Sequence, residues 1–291
     1  MINYSKTPIQ ELESQLFERH GIRVLVKRED LNHPFVSGNK WWKLKYNLEE
    51  AVRLDHDVLL TFGGAYSNHI FATAAAGREL GLKTIGIIRG EEVLPLNRTL
   101  AFAKSCGMKL HYISREVYRK KTKPGFIEQL FNEFGNFYLI PEGGTNDLAI
   151  KGCAEFANQL RLEISFDYLC LSIGTGGTMA GIIEGMNSSK NLIGFSSLKG
   201  GEFLVEEIRG MTSPEIANWS VNSDYHFGGY GKATSELKNF ITEINDIHQL
   251  PLDIVYTSKM FFGVLDLITK GYFKKGSTVL VLHTGGLQGI K

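Results

Sequence analysis

The stretch YLCLSIGTGGTMAGIIEGM, residues 168–186, decides the fold. Its first six residues, Tyr168–Ile173, form a nearly continuous apolar, β-prone run. A strand buried on both faces has this composition. Glycines and threonines follow, and Met179–Met186 then has the length and apolar content of a buried helix. Strand, glycine loop and helix in that order make half of a βαβ unit, which implies a parallel sheet. In the loop Gly174-Thr175-Gly176-Gly177-Thr178, backbone N–H groups can converge on an anion, and the next helix adds its positive end. A phosphate suits such a loop. A tight turn needing positive φ would select the same glycines. The loop is not a P-loop, since no GxxxxGK[ST] is present, and as a dinucleotide fingerprint its third glycine is displaced to Gly181.

Working outward, the same grammar recurs. Val58–Phe62 reads as a strand leading through Gly63-Gly64 into a helix over Asn68–Leu80. Strands are expected at Thr84–Ile88, Lys109–Ile113, Phe137–Ile140, Leu192–Phe195 and Thr278–Leu282. Helices are expected at Leu96–Cys106, Gly125–Phe134, Leu148–Leu160 and Lys259–Thr269. Right-handed crossovers bring the carboxyl ends of parallel strands to one edge. The glycine loops after Phe62, Ile173 and Leu282 should therefore face a common cleft. Two strand–loop–helix units in different halves of the chain suggest two α/β lobes with a site between them.

Composition narrows the function. Of 291 residues, 43% are hydrophobic and 22% charged, and the formal net charge is +1. A near-neutral chain of this kind gives no electrostatic case for nucleic acid or an anionic membrane. No apolar run reaches membrane-spanning length. Residues 1–10 hold no secretory apolar core, and the three cysteines form no CxxC, so a reducing cytoplasm with free thiols is expected. The eight histidines show no HExxH or other ligand spacing, and no transition metal is expected.

Further motifs each carry two readings. In Ser37-Gly38-Asn39-Lys40, small residues flank a lysine that, once buried, becomes a usable nucleophile and base. A solvated lysine at a helix start is the plainer alternative. In Gly63-Gly64-Ala65-Tyr66-Ser67-Asn68-His69, Ser67 is placed to cap the helix from Asn68. The same hydroxyl, the Asn68 amide and nearby N–H groups could instead hold a carboxylate and a phenolate oxygen. His69 reads equally as a core or a functional histidine. Near the end, Asp253…Tyr256-Thr257-Ser258 reads as a strand-to-helix turn with Thr257 or Ser258 as the cap, and His283-Thr284-Gly285-Gly286 as a terminal loop. Asp30 reads as an ordinary charged turn residue. Gly229-Tyr230-Gly231 is either a turn with an exposed ring or a loop placing a phenol over the site.

Taken in this order, the motifs resemble the 1-aminocyclopropane-1-carboxylate (ACC) deaminase/D-cysteine desulfhydrase family, among the fold-type II pyridoxal-phosphate (PLP) enzymes of the tryptophan synthase β-like superfamily. The match runs from Lys27-Arg28-Glu29-Asp30-Leu31 and Gly38-Asn39-Lys40 through Ser67-Asn68-His69, Pro141-Glu142-Gly143-Gly144, residues 174–178, Gly229-Tyr230-Gly231 and Asp253…Tyr256 to His283-Thr284-Gly285-Gly286. The resemblance implies an α/β, two-domain architecture, each domain an open, twisted, mostly parallel sheet flanked by helices. It implies a large PLP-binding domain over 1–45 plus 156–291 and a small domain over 46–155. Lys40 would hold the cofactor as a Schiff base and move the α or β proton. Asn68 would bond the ring phenolate oxygen, and Ser67 would contact the substrate carboxylate or assist proton transfer. Gly174, Thr175, Gly176, Gly177 and Thr178 would hold the phosphate. Tyr256 would lie by the ring, Tyr230 over the substrate with His69 near it, and Thr257 and Thr284 on the cofactor. Thr257 would face the pyridine nitrogen.

The resemblance also implies a substrate. ACC deaminases carry Glu at the position of Thr257 and Leu at that of Thr284, whereas desulfhydrase-like members carry hydroxyl residues. A hydroxyl leaves the pyridine nitrogen largely neutral, which suits elimination of a good leaving group. The expectation is α,β-elimination from a small amino acid, D-cysteine, giving pyruvate, ammonia and sulfide. ACC deaminase, a serine/threonine-type dehydratase and a non-catalytic phosphate-ligand protein are the alternatives. A homodimer is the family's usual assembly. The bulk of Trp41-Trp42, just after the lysine, is expected to narrow the pocket.

Overall fold

The structure, a computed structural model, describes residues 2–289. The chain opens with β1 (Ile9–Leu12), α1 (Gln15–His20), β2 (Arg23–Lys27) and α2 (Asn39–Arg53). An alternating stretch follows: β3 (Val58–Gly64), α3 (Asn68–Leu80), β4 (Lys83–Arg89), α4 (Arg98–Ser105), β5 (Lys109–Ile113), α5 (Arg115–Tyr118), α6 (Pro124–Phe134), β6 (Tyr138–Ile140) and α7 (Asp147–Glu163). The remainder comprises β7 (Tyr168–Ile173), α8 (Gly177–Met186), β8 (Asn191–Ser196), α9 (Leu204–Arg209), β9 (Trp219–Asn222), α10 (Ser235–His248), α11 (Thr257–Thr269) and β10 (Thr278–Leu282).

The strands form two sheets. One has six strands in the order β1-β2-β10-β7-β8-β9, and only the β1–β2 pair is antiparallel. The other has four parallel strands, β5-β4-β3-β6. Leu169–Ile173 and Val279–Leu282 are buried without alternation, as central parallel strands covered on both faces must be. Each such Leu, Ile or Val contributes about 1.5–3 kcal/mol by leaving water. Below the larger sheet, Leu169, Leu171 and Ile173 pack on Ile182 and Ile183 of α8 and on Phe156 and Leu160 of α7. Helix α7 crosses the expected boundary at residue 155 and joins this core.

Four junctions differ from the sequence reading. Asn39–Arg53 is a helix that the sequence reading did not delimit, and Lys40 lies in its first turn, at a helix start but with its amine desolvated rather than in open solvent. Trp42 is buried on Phe156 and donates its indole N–H to Glu29 at 2.7 Å, while Trp41 stacks near Tyr4, so neither ring narrows the cleft. Asp30 is buried and takes a two-pronged bond from Arg28 at 2.8 and 2.9 Å, with His283 Nδ1 3.5 Å away. The α11 turn is tied by Asp253, not by Thr257 or Ser258. Its carboxylate accepts from the N–H groups of Val255, Tyr256 and Thr257 at 2.7–2.9 Å.

Candidate active site

The carboxyl edges of both sheets open on one cleft of about 540 Å³. It is lined by Gly64 after β3, Gly174 to Gly176 after β7, and Thr284 with Gly285 after β10. The three glycine loops thus meet as expected. Gly38 shows how tightly two of these segments close. Its φ is +68°, and a Cβ there would sit 1.9 Å from the Thr284 carbonyl oxygen. A side chain at 38 would push the start of α2, and Lys40 with it, away from the β10 loop. Asn32 fixes the same turn, accepting from the Gly38 N–H and donating to its carbonyl.

Lys40 reaches into this cleft from the first turn of α2. Desolvation lowers its pKa from 10.5 to about 8, and the nearby Cys153 thiol acts weakly in the opposite direction. Sequence reading missed Lys43, one turn further on. Its amine lines the same cleft and donates to Thr145 Oγ1 at 2.9 Å. Burial holds its pKa well below the ordinary lysine value, and Lys40 pushes the same way. The available signal was the three-residue spacing from Lys40, legible only once residues 39–53 are read as a helix.

The Gly174–Thr178 loop stands opposite. Gly176 sits at φ +77° as the cap of α8, and no side chain satisfies that helix's first N–H groups. Thr175 and Thr145 share a hydroxyl bond of 2.6 Å, and Asn39 donates to Thr178 Oγ1 at 2.8 Å. Gly177 lies behind the lining, where a Cβ would approach Lys43 Nζ to 3.2 Å. An uncapped helix start beside a buried lysine amine has the donors and the positive potential that an anion would need.

On the other sheet, Ser67 caps α3 by accepting from the Ile70 N–H at 3.2 Å, which leaves its own proton free. The capping reading of Ser67 holds, and the residue also lines the cleft. Asn68 lines the cleft with its carbonyl oxygen occupied by the Gln288 amide, so its NH₂ is the available group. His69 is buried, with Nε2 2.8 Å from Thr61 Oγ1. The Thr61 hydroxyl donates to the Ile140 carbonyl, so it must accept from His69. Nε2 therefore carries the proton, and Nδ1 is a buried acceptor without a partner. Desolvation, then Lys40 and Lys43, hold His69 neutral.

Tyr256 and Tyr230 close the far wall, their rings 5.9 Å apart and edge-on. Burial, with Tyr230 alongside, pushes the Tyr256 phenol well above its ordinary pKa. Thr257 departs from expectation: it does not line the cleft. It is fully buried, its hydroxyl donating to Asp253 Oδ1 at 2.7 Å and accepting from the Asp253 N–H at 2.9 Å. The cleft's hydroxyl pair is instead Thr284 and Ser172, 3.1 Å apart at the ends of β10 and β7. Ser172 was not singled out in the sequence, because nothing in a strand's own composition shows which neighbour will face it. At the rim stand Arg89, Lys121, Glu142 and Glu207. Glu142 is paired with Lys121 at 3.1 Å and accepts from Tyr118 at 2.7 Å.

The donor set fits PLP. Two buried amines and a neutral histidine all have protonation suppressed by burial, and an uncapped helix start faces one of those amines. An anionic phosphate relieves that excess of positive potential, and the depressed Lys40 amine suits an aldehyde. A family model described as "Pyridoxal-phosphate dependent enzyme" matches residues 2–285. A Pyrococcus abyssi protein named "Putative 1-aminocyclopropane-1-carboxylate deaminase" is 33% identical, over 98% of this chain and 90% of its own length. The Arabidopsis thaliana mitochondrial bifunctional D-cysteine desulfhydrase/ACC deaminase is 31% identical, over 93% of this chain and 74% of its own. A solved structure of an ACC deaminase homologue superposes with a TM-score of 0.82 at 30% identity, covering 98% of this chain and 90% of that one. With site geometry, family model and relatives in agreement, the chain belongs to the pyridoxal-phosphate-dependent enzymes, in the ACC deaminase/D-cysteine desulfhydrase group.

Proposed function

We propose that this enzyme eliminates a β-thiol from a small amino acid, with D-cysteine as substrate and pyruvate, ammonia and sulfide as products. One observation carries the choice within the family. The cleft presents a buried pair of neutral hydroxyls, Ser172 and Thr284, while of the carboxylates lining it Glu207 is exposed and Glu142 is already engaged by Lys121 and Tyr118. Without a carboxylate to hold the pyridine nitrogen protonated, the cofactor is a weaker electron sink, sufficient for a good leaving group and poorly matched to an unactivated cyclopropane ring. The preference for the D isomer rests on the family resemblance. The names of the relatives support ACC deamination as the second reading.

Bound here, PLP supplies an electrophilic aldehyde and a conjugated ring that draws electrons from the substrate's α-carbon. The protein's own groups do the rest. Residues 174–178 and Lys43 hold the phosphate, and the Asn68 NH₂ donates to the ring's phenolate oxygen. Lys40 offers its amine as nucleophile and, once released, takes the proton from the α-carbon. Ser67 donates its free hydroxyl proton to the substrate carboxylate. Tyr256, which burial keeps a phenol, is placed with Tyr230 beside it to hand a proton to the departing thiolate.

Assays of D-cysteine, L-cysteine, D-serine and ACC side by side test the assignment. D-cysteine should be turned over fastest, with sulfide released in step with pyruvate. Faster turnover of ACC would replace this reading with the second one, and faster turnover of L-cysteine would remove the D preference.

A further inference from the structure

Tyr230 stands at the cleft on a loop that its own backbone does little to hold in place. Phe227, Gly228, Gly229 and Gly231 all have positive φ, between +49° and +113°. Such a run belongs to no regular element, and its internal bonds are few. Gly229 donates to the His226 carbonyl at 3.0 Å, Lys232 to Gly229 at 3.1 Å, and Gly228 to His226 Nδ1 at 2.9 Å. Three ties join it to the body: the Phe227–Phe262 ring contact at 4.9 Å, the Tyr230–Tyr256 ring contact at 5.9 Å, and Lys259. Lys259 belongs to the first turn of α11 and is 1% exposed. Its Nζ donates to the carbonyls of His226 and Gly229, both at 2.8 Å.

A buried amine needs a reason to be there, since desolvation penalises its charge. Among the described residues no carboxylate lies within salt-bridge distance of Lys259, and Asp253, which acts on it through space, is occupied by the α11 turn. The two loop carbonyls are the partners that account for the burial. Tyr256 lies three residues before Lys259, so the lysine ties the loop of one phenol to the helix turn of the other.

We propose that Lys259 is a positioning residue: its buried amine pins the His226 and Gly229 carbonyls and so holds the Tyr230 phenol beside Tyr256 over the cleft. The catalytic consequence rests on the reading of the cleft as an amino-acid lyase site; the mechanical one does not. Lys259→Met keeps the volume and removes the donors. Amide hydrogen exchange over residues 226–232 should be about tenfold faster or more in the variant, with or without PLP, while β7 and β8 keep their protection. With D-cysteine, KM should rise as kcat falls, and adding Lys259→Met to Tyr230→Ala should cost nothing further. Unchanged loop exchange, or a full additional loss in the double variant, would overturn the assignment. Should the methionine variant not accumulate, Lys259→Gln, whose shorter amide still donates, should give intermediate exchange; wild-type protection there overturns it equally. Exchange measured on cofactor-free protein judges Lys259 even if no amino acid in the panel is turned over. A full rate with D-cysteine beside an unloosened loop would refute Lys259 alone.

Discussion

At the scale of single residues, Lys40 is defined by where its proton sits. Desolvation brings its pKa from 10.5 to about 8. Only the neutral amine attacks an aldehyde, so at pH 7 roughly a tenth of the molecules carry a competent nucleophile. Capture of PLP by cofactor-free protein, followed by the growth of visible absorbance after mixing, should therefore quicken about tenfold per pH unit up to pH 7, about fivefold from there to pH 8, and level off above it. A rate still climbing towards pH 10 would mean that the amine titrates as if in water. Threonine 257 shows the limit of residue-by-residue reading. Its neighbour Tyr256 does reach the cleft, but α11 begins at Thr257, and the helical turn carries that side chain back into Asp253. A sequence motif gives the neighbour and not the rotation about the helix axis. Thr284 and Ser172 end adjacent parallel strands, so their approach depends on sheet order, which a linear sequence does not display.

At the scale of elements, the start of α8 and the first turns of α2 form one device. The loop of 174–178 was legible as a strand-to-helix junction at the cleft because its glycines stand between an apolar strand and an apolar helix. Helix α2 was not, because its buried face contains Lys43 and Asn47 beside Trp42, Leu44, Leu48 and Ala51. Polar residues on a buried face break the period that sequence reading depends on, and their partners, Thr145 and Asn146, lie about a hundred positions away. Lys43→Met should consequently act with opposite signs on the two forms of the protein. Without cofactor, burial disfavours the charged form of Lys43 in the fold but not in the unfolded chain, so removing the amine should raise the melting temperature. Thr145 keeps Thr175 as a partner, so the substitution strands no hydroxyl. With cofactor, a charge-assisted bond to the phosphate is lost, and the dissociation constant for PLP should rise about 10- to 100-fold. Equilibrium titration of PLP beside thermal melts of both forms checks the pair of effects. A variant that binds PLP as tightly as the parent would place the phosphate elsewhere.

At the scale of the whole molecule, the site exists because two parallel sheets turn their carboxyl edges to the same space. That much follows from continuous apolar strands and one-handed crossovers, which is why the cleft could be anticipated from residues 58–64, 168–178 and 278–286 together. The rim is a different matter. Arg89, Lys121, Glu142 and Glu207 come from four separate segments, and a charge at a strand end or in a loop looks like any solvated surface charge until the chain is folded. A ligand spanning the cleft bonds to residues of both sheets, so its removal should be felt by the entire fold. PLP present at about a hundred times its dissociation constant stabilises the folded state by about 2.7 kcal/mol. For a chain of this size that corresponds to a rise of about 4–5 °C in melting temperature. The phosphate cradle provides a way to divide that rise. Inorganic phosphate at millimolar concentration should restore part of it to cofactor-free protein, because the uncapped α8 and Lys43 recognise the anion without the ring. Pyridoxal, which lacks the phosphate, should restore a smaller part than PLP, through Lys40 and Asn68. In Lys43→Met the shift with inorganic phosphate should largely vanish while that with pyridoxal persists. If phosphate moved the parent protein no more than chloride at equal ionic strength, the loop at 174–178 would be a turn and not a cradle, and the anion of the cofactor would need another home.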